Sequence, residues 1–176
     1  GDLVCLKKRG DRCYVPTGQN KHHAILEGGP CFIVHPSDTA PALIALRARV
    51  KVAGPQGERV IPLEKFFAGP RQDVRRETVL GPQEILTEIQ VPFIPEGRSI
   101  YLKSKERRCW DFALAAVAVS LTLKGGLCQE ARIVLGGVAP IPYRASRAEE
   151  VLKGKRIEET LAKQAAHLAL LGALPL

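Results

Sequence analysis

The apolar run at residues 112–123 constrains the fold of this chain more than any other feature. It has 12 residues and includes Ser120 and Thr122, so it is shorter than the roughly 18 apolar residues that a membrane span requires. Its alanines favour a helix, whereas the alternation of its Val, Leu and Thr residues favours a strand. Two glycines at 125–126 follow it, and a second apolar run covers residues 130–135. Because a Gly-Gly pair between two such runs is typical of a tight turn, we predict an antiparallel hairpin.

The rest of the chain also mixes helical and strand patterns. Either Ser37 or Asp38 is a typical N-cap for a helix that continues to about residue 49, and residues 92–97 form a break rich in Pro and Gly. Further strands are predicted at residues 31–35, 49–53, 58–63, 85–91 and 98–105, a helical turn at 63–67, and helices at 147–153 and 157–171. This pattern predicts an α+β fold, with a first unit at 1–95 and a second unit of antiparallel sheet and helices at 96–176.

The composition is that of a globular protein with a basic surface. Hydrophobic residues make up 45% of the chain, charged residues 25%, and the net charge is +8. A basic balance suits nucleic acid, an anionic cofactor or an acidic partner subunit. Lys and Arg are nevertheless spread along the chain, often beside Glu, and aromatic residues for base stacking are few. We therefore expect no nucleic-acid partner and no membrane span.

Five cysteines stand at positions 5, 13, 31, 109 and 128. We call residues 1–31 the first segment; it is irregular, rich in loop-forming residues and without an apolar core of its own. It contains Cys5, Cys13 and Cys31. Thiolates in such a loop suit a metal or iron–sulfur site, because the metal supplies ordering energy that packing does not. The fourth ligand would be His22, His23 or a residue before position 1, and free thiols are the alternative.

Polar candidates for ligand binding lie at the start of the first helix and on the strand at 98–105. Asp38 is suited to accept hydrogen bonds from ribose or ribityl hydroxyls, Ser37 to bind phosphate oxygens, and Lys103 to reach a phosphate or the edge of a flavin ring. The plain alternatives are an ordinary helix cap and a solvated basic loop. The sequence has no nucleophilic triad pattern, P-loop or Gly-x-Gly-x-x-Gly, so we do not expect a self-contained hydrolase.

Seven segments of the chain, taken together, form a pattern that is specific enough to indicate a protein family. They are residues 35–46, 57–67, 77–86, 101–103, 111–114, 135–139 and 147–154. Together they resemble the FAD-binding, or medium, subunit of the molybdenum hydroxylases, the family of xanthine dehydrogenase, carbon monoxide dehydrogenase and aldehyde oxidoreductase. Some members of that family carry an extra [4Fe–4S] cluster on an insertion. The resemblance implies that Cys5, Cys13 and Cys31 are cluster ligands, with a fourth cysteine upstream of this chain.

The resemblance also implies a fold and a function. It implies part of a second FAD-binding subdomain, with the cysteine-containing insertion at residues 1–31, followed by the C-terminal domain of the flavoprotein. The chain would be the FAD subunit of a heterotrimeric oxidoreductase and not catalytic alone. Electrons would pass from a molybdenum-cofactor large subunit, through the [2Fe–2S] centres of a small subunit, to FAD and then to NAD or another acceptor. The implied FAD contacts are Ser37, Asp38, Leu86 and Lys103.

The ends of the chain leave two further hypotheses open. The sequence starts without Met and without a signal-peptide pattern, and it lacks the family's first FAD subdomain and its last segment. We therefore expect a chain truncated at both ends, from a complex located in the cytoplasm, or in the periplasm if it is exported as a complex. One alternative is a cofactor-free docking remnant of such a subunit. The other is a small zinc protein that uses the three cysteines of the first segment and a histidine.

Overall fold

Within residues 4–176, which the computed structural model describes, the chain forms two antiparallel sheets and three α-helices. The strand order is β2-β1-β3 in the first sheet and β4-β5-β6-β7 in the second. The strands are β1 Arg49–Gly54, β2 Gly57–Pro62, β3 Ile85–Gln90, β4 Gly97–Ser104, β5 Ala115–Lys124, β6 Leu127–Gly136 and β7 Tyr143–Arg144, and the helices are α1 Thr39–Ala45, α2 Ser146–Leu152 and α3 Glu159–Ala169. The predicted α+β fold is confirmed.

The predicted hairpin is confirmed as β5 and β6. Gly125 and Gly126 form its turn and both have positive φ, 59° and 78°, a conformation that glycine adopts without the clash of a Cβ. The register pairs Ala116 with Gly136 at one end and Lys124 with Leu127 at the other. A helix at this position is therefore excluded, although its alanine content favoured one.

Small residues on one face of this hairpin let α1 pack closely against it. Ala118 of β5 shares a buried cluster with Ile44 of α1. At Gly136 of β6, a Cβ would lie only 2.8 Å from Cγ of Pro41. The opposite face carries larger apolar side chains, which pack with α2 and α3; on β5 they are Val117, Val119 and Leu121. The alternation of small and large residues along β5 thus separates the two faces of the second sheet.

A single core cluster joins the two sheets. Val50 and Val52 of β1 are fully buried and lie in the same cluster as Ala118 and Val134 of the second sheet. Residues of α1, among them Ile44 and Ala45, belong to the same cluster, so the helix and both sheets share one core. The division into units at 1–95 and 96–176 stays a prediction.

Residues 24–35 lie along the end of the second sheet. Leu26 is 2% exposed and packs with Val138 and Ala139, and the backbone N–H of His35 donates to the carbonyl of Ala139 at 3.0 Å. The predicted strand at 31–35 is wrong: these residues belong to no strand, and their hydrogen bonds go to single residues rather than to a neighbouring strand. Isolated hydrogen bonds and apolar contacts thus hold this part of the chain in place, because it has little hydrophobic core of its own.

The other predicted elements are confirmed with small shifts. The first helix is the exception, because it ends at Ala45 rather than near residue 49. There Arg47 takes a left-handed φ of 60°, which ends the helical path and leads the chain into β1. None of the helices among residues 4–176 has the length and apolar character that crossing a bilayer requires.

Candidate functional site

The start of α1 meets the middle of β4 through one carboxylate. Asp38 immediately precedes α1, while Tyr101 and Lys103 project from the same face of β4 because they are two residues apart. The Tyr101 hydroxyl donates to Oδ1 of Asp38 at 3.0 Å, and Nζ of Lys103 donates to Oδ2 at 2.6 Å. Both carboxylate oxygens are therefore held by groups from another element.

Lys103 is fixed at a second point by the loop that follows β4. Its Nζ also donates to the backbone carbonyl of Asp111 at 2.6 Å. The Asp111 carboxylate in turn accepts the backbone N–H groups of Glu106 and Arg107 at 3.1 and 2.8 Å, which closes the loop. An ammonium carries three N–H donors, and only two are used within residues 4–176. The third is available to an acceptor on a ligand.

The charges of this group are set by its contacts. The hydrogen bond from Lys103 lowers the pKa of Asp38, and the bond from Tyr101 acts in the same direction while partial burial opposes both. Burial, followed by the hydrogen bond to Asp38, raises the pKa of Tyr101 to about 12. At neutral pH Asp38 is thus a carboxylate, and Tyr101 is a neutral phenol whose hydroxyl donates a hydrogen bond to it.

Two other predicted contacts occupy different positions. Ser37 Oγ accepts the backbone N–H of Ala40 at 3.1 Å, so its side chain caps α1, as the plain alternative proposed. Leu86 lies on β3 opposite Val52 and is a half-buried residue that packs on the shared core cluster, as Tyr101 does. The structure thus brings Asp38 and Lys103 into direct contact. Ser37 is next to Asp38 in the sequence, but its side chain caps α1. Leu86 lies on the other sheet.

A cleft of about 550 Å³ lies beside this group. Its floor is apolar and includes Val34, Pro36, Phe112, Leu114 and Val138, while its polar lining is Lys21, His22, His23, Glu106 and Asp111. Nζ of Lys21 and Oε1 of Glu106 are 2.6 Å apart, so an ion pair joins the first segment to the loop after β4. The Nδ1 atom of His23 is buried and has no hydrogen-bond partner within the described part of the chain. An apolar floor with a few polar groups is the usual lining of a small-molecule site.

Sequence reasoning missed Tyr101, Lys21 and Glu106. A signal for Tyr101 was present, because a residue two positions before Lys103 on a predicted strand must share its face. No comparable signal existed for the ion pair between Lys21 and Glu106, which are 85 residues apart.

The cysteines of the first segment do not form a metal site in this structure. Among residues 4–176, no group of three His, Cys, Asp or Glu side chains is placed to hold a metal ion. Cys31 is buried and Cys5 and Cys13 are half-buried, all as free thiols. A separate 3-10 turn follows Cys5, at Leu6–Lys8, and another follows Cys13, at Val15–Thr17, so local structure places each cysteine independently. The iron–sulfur prediction and the zinc alternative therefore lack the assembled ligand set that either requires.

Comparison with known families gives two matches that lie side by side. Residues 23–94 match the FAD binding domain in molybdopterin dehydrogenase. Residues 100–175 match the CO dehydrogenase flavoprotein C-terminal domain. Asp38 lies in the first of these regions, and Tyr101 and Lys103 lie in the second.

Individual proteins agree with the family matches. The chain is 34% identical to the carbon monoxide dehydrogenase medium chain of Afipia carboxidovorans, over 81% of this chain and 48% of that protein. It is also 34% identical to the aldehyde oxidoreductase FAD-binding subunit PaoB of Escherichia coli, over 81% of this chain and 44% of that protein. The chain thus spans about half the length of these curated relatives.

Solved structures show the same likeness. A carbon monoxide dehydrogenase from Hydrogenophaga pseudoflava that lacks the Mo-pyranopterin moiety superposes with a TM-score of 0.70 at 30% identity, over 89% of this chain and 49% of that chain. The cyanide-inactivated Cu,Mo-CO dehydrogenase gives a TM-score of 0.69 at 33% identity, over 79% of this chain and 47% of that chain. Fold and sequence thus point to the same group of proteins.

Proposed function

Because the chain belongs to the family of FAD-binding medium subunits of the molybdenum hydroxylases, we propose that it binds the flavin end of FAD and takes part in electron transfer within an oxidoreductase complex. The observation that carries this proposal is the contact between Asp38 and Lys103. The two residues come from the two family regions, so the site exists only where these regions meet.

The side chains at this contact suit the chemistry of FAD. The third N–H of Lys103 is a charged donor for an oxygen or nitrogen at the edge of the flavin ring. The remaining lone pairs of Asp38 accept hydrogen bonds from ribityl hydroxyls. Leu86, which the family resemblance implies as a further contact, lies apart from this group on β3. When bound, FAD supplies two-electron redox chemistry, while the protein orients it and tunes its environment.

The neighbouring cleft extends this site. Pro36 lines the cleft and stands two residues before Asp38, while Asp111 lines it and accepts from Lys103. Its apolar floor suits a planar aromatic ring. We place the ring end of the cofactor between the Asp38–Lys103 contact and this cleft.

The route of electrons follows from the family resemblance. We propose that FAD held by this chain would accept the electrons that a molybdenum-cofactor large subunit removes from the substrate and that [2Fe–2S] centres of a small subunit carry. NAD or another acceptor would then take them, in a complex located in the cytoplasm, or in the periplasm if it is exported. No step is assigned to a [4Fe–4S] cluster, because the described cysteines do not come together as its ligands.

Titration of the purified protein with FAD tests the proposal. The substitution Lys103→Met removes the charged donor, and hydrogen bonds to charged groups contribute enough that we expect the dissociation constant to rise about tenfold or more. Fluorescence of the flavin measures this binding directly. The substitution Asp38→Asn is expected to weaken binding to a similar degree.

The matched control is Lys163→Met, because Lys163 also forms an ion pair but lies exposed on α3 beside Glu159. This variant is expected to bind FAD as the wild type does. Equal affinity in the wild type, Lys103→Met and Asp38→Asn would place the flavin elsewhere. A wild-type protein that binds no FAD would support the cofactor-free docking alternative instead.

A further inference from the structure

We propose that Tyr101 is a positioning residue of this site, which orients the Asp38 carboxylate so that its remaining lone pairs face the hydroxyl groups of the flavin's ribityl chain. This inference rests on the proposed function, since it takes Asp38 as the flavin contact. It concerns a residue that no sequence pattern had assigned to the site.

The need for such a residue comes from the exposure of Asp38. Its side chain is 49% exposed at the start of a short helix, and an aspartate in that setting has several accessible rotamers. Lys103 is anchored by the carbonyl of Asp111, but it donates to only one oxygen of Asp38, Oδ2. One ion pair of this kind therefore leaves the plane of the carboxylate poorly defined.

Tyr101 supplies the second point that defines this plane. Its ring is half-buried against the core cluster shared by the two sheets, and on β4 it pairs with Ala118 of the central strand β5. The ring is therefore already immobilised by packing, so the hydroxyl meets Oδ1 of Asp38 at 3.0 Å with little further loss of side-chain entropy. Tyr101 and Lys103 thus donate to different oxygens of Asp38, and the Tyr101 ring is rigid. Together they fix both the position and the rotation of the carboxylate.

The arrangement also selects the chemical class of the ligand group. Each carboxylate oxygen has two lone pairs, and Tyr101 and Lys103 occupy one on each oxygen. What Asp38 still offers is therefore an acceptor-only edge. Hydroxyl groups donate to such an edge, whereas the oxygens of a phosphate find no hydrogen-bond donor on it. The site is thus suited to the ribityl chain rather than to the pyrophosphate of FAD.

The substitution Tyr101→Phe tests this inference, because it keeps the ring and removes only the hydroxyl. Two probes are compared, FAD and riboflavin, since riboflavin has the ring and the ribityl chain but no phosphate. We expect both dissociation constants to rise by the same factor, about fivefold, as one hydrogen bond to a charged group loses its donor. The matched control is Tyr14→Phe, which removes a phenol–carboxylate hydrogen bond to Asp11 in the first segment and is expected to change neither affinity.

A double-mutant cycle and a titration separate positioning from general destabilisation. In the Asp38→Ala background, Tyr101→Phe is expected to have no further effect on FAD affinity, because no side-chain oxygen remains to accept the Tyr101 hydroxyl. Carbon-13 NMR of the Asp38 carboxyl, with no flavin present, is expected to show a higher pKa in Tyr101→Phe than in the wild type. Circular dichroism checks that each variant is folded.

The outcomes distinguish this inference from the proposed function. If Asp38→Asn weakens FAD binding and Tyr101→Phe does not, the positioning role is overturned and the proposed function stands. Loss of FAD affinity with unchanged riboflavin affinity would also overturn it, since that pattern assigns Asp38 to the phosphate end. If the wild type binds neither probe, the proposed function fails and this inference fails with it.

Discussion

Glu149 of α2 is a buried carboxylate that hydrogen-bonds to two strands of the second sheet. Its side chain is 8% exposed. Oε1 accepts the backbone N–H of Ile133 at 2.9 Å, and the two carboxylate oxygens accept the Arg144 guanidinium at 2.8 to 3.1 Å. It thereby ties α2 to β6 and to β7. We expect Glu149→Leu to destabilise the protein strongly and Glu149→Gln to do so only mildly.

The expected magnitudes follow from which groups lose a partner. In Glu149→Leu the buried N–H of Ile133 is left without an acceptor, which costs about 1–3 kcal/mol. Arg144 is 38% accessible and also lies 3.3 Å from Glu64, so its guanidinium remains solvated. Losing the ion pair between Arg144 and Glu149 therefore adds only about 1 kcal/mol. The sum is about 2–4 kcal/mol. Glu149→Gln keeps an acceptor for Ile133, so its cost is about 1 kcal/mol.

Urea denaturation followed by circular dichroism measures both values, with an unchanged m-value as the condition for comparing them. The control is Glu159→Gln, because Glu159 is an exposed carboxylate on α3 that pairs with Lys163. Its change is expected to stay within about 0.5 kcal/mol of zero. Equal destabilisation by Glu149→Leu and Glu149→Gln would refute the reasoning, since it would mean that the ion pair and not the backbone donor carries the energy.

Three further predictions concern other parts of the chain. Gly136→Ala is expected to lower the thermal stability by about 1–3 kcal/mol, because its Cβ would lie 2.8 Å from Pro41 and push α1 from the sheet; an unchanged melting temperature would contradict this close packing. The bond from Arg59, with a backbone N–H from Gly81, lowers the pKa of Glu84 from 4.5 to about 2, so its stabilising contribution is present above pH 4.5 and is lost as the pH falls towards 2. Urea denaturation at about pH 5 and about pH 3 should therefore show a smaller loss of stability in Glu84→Gln than in the wild type, and equal losses would exclude this contribution. Because the cysteines of the first segment are not assembled as ligands, anaerobically purified protein is expected to retain no iron; visible absorption of an iron–sulfur type that dithionite bleaches would overturn that reading.

Local signals account for the elements that were predicted correctly. The alternation along β5 and β6 and the glycines between them act over neighbouring residues, and the same holds for the hairpin of β1 and β2. A turn and two alternating strands need no distant partner to be recognised, since the backbone preferences and the face alternation lie in adjacent positions. The α+β fold could therefore be predicted from the sequence, whereas the family resemblance rests on the combination of seven matching segments.

The wrong strand at 31–35 shows where local signals fail. Its apolar residues favour an extended backbone, but the structure has no strand there. Whether an extended segment becomes a strand depends on a neighbouring strand with free hydrogen-bonding groups, and here the contact is with isolated residues such as Ala139. That partner lies more than 100 positions along the chain.

By itself, the sequence determined the two hairpins, the three α-helices, the strands other than β7, the family resemblance and the candidate contacts Asp38 and Lys103. Only the tertiary structure decided that these two side chains touch, that Tyr101 completes the contact, and that Ser37 caps a helix. It also decided that, among the described residues, Cys5, Cys13 and Cys31 do not assemble as a set of metal ligands. The physical reason is the same in each case: alternation and turns are encoded between neighbours, whereas a hydrogen bond between residues 38 and 101 exists only after α1 and β4 have packed on a common core.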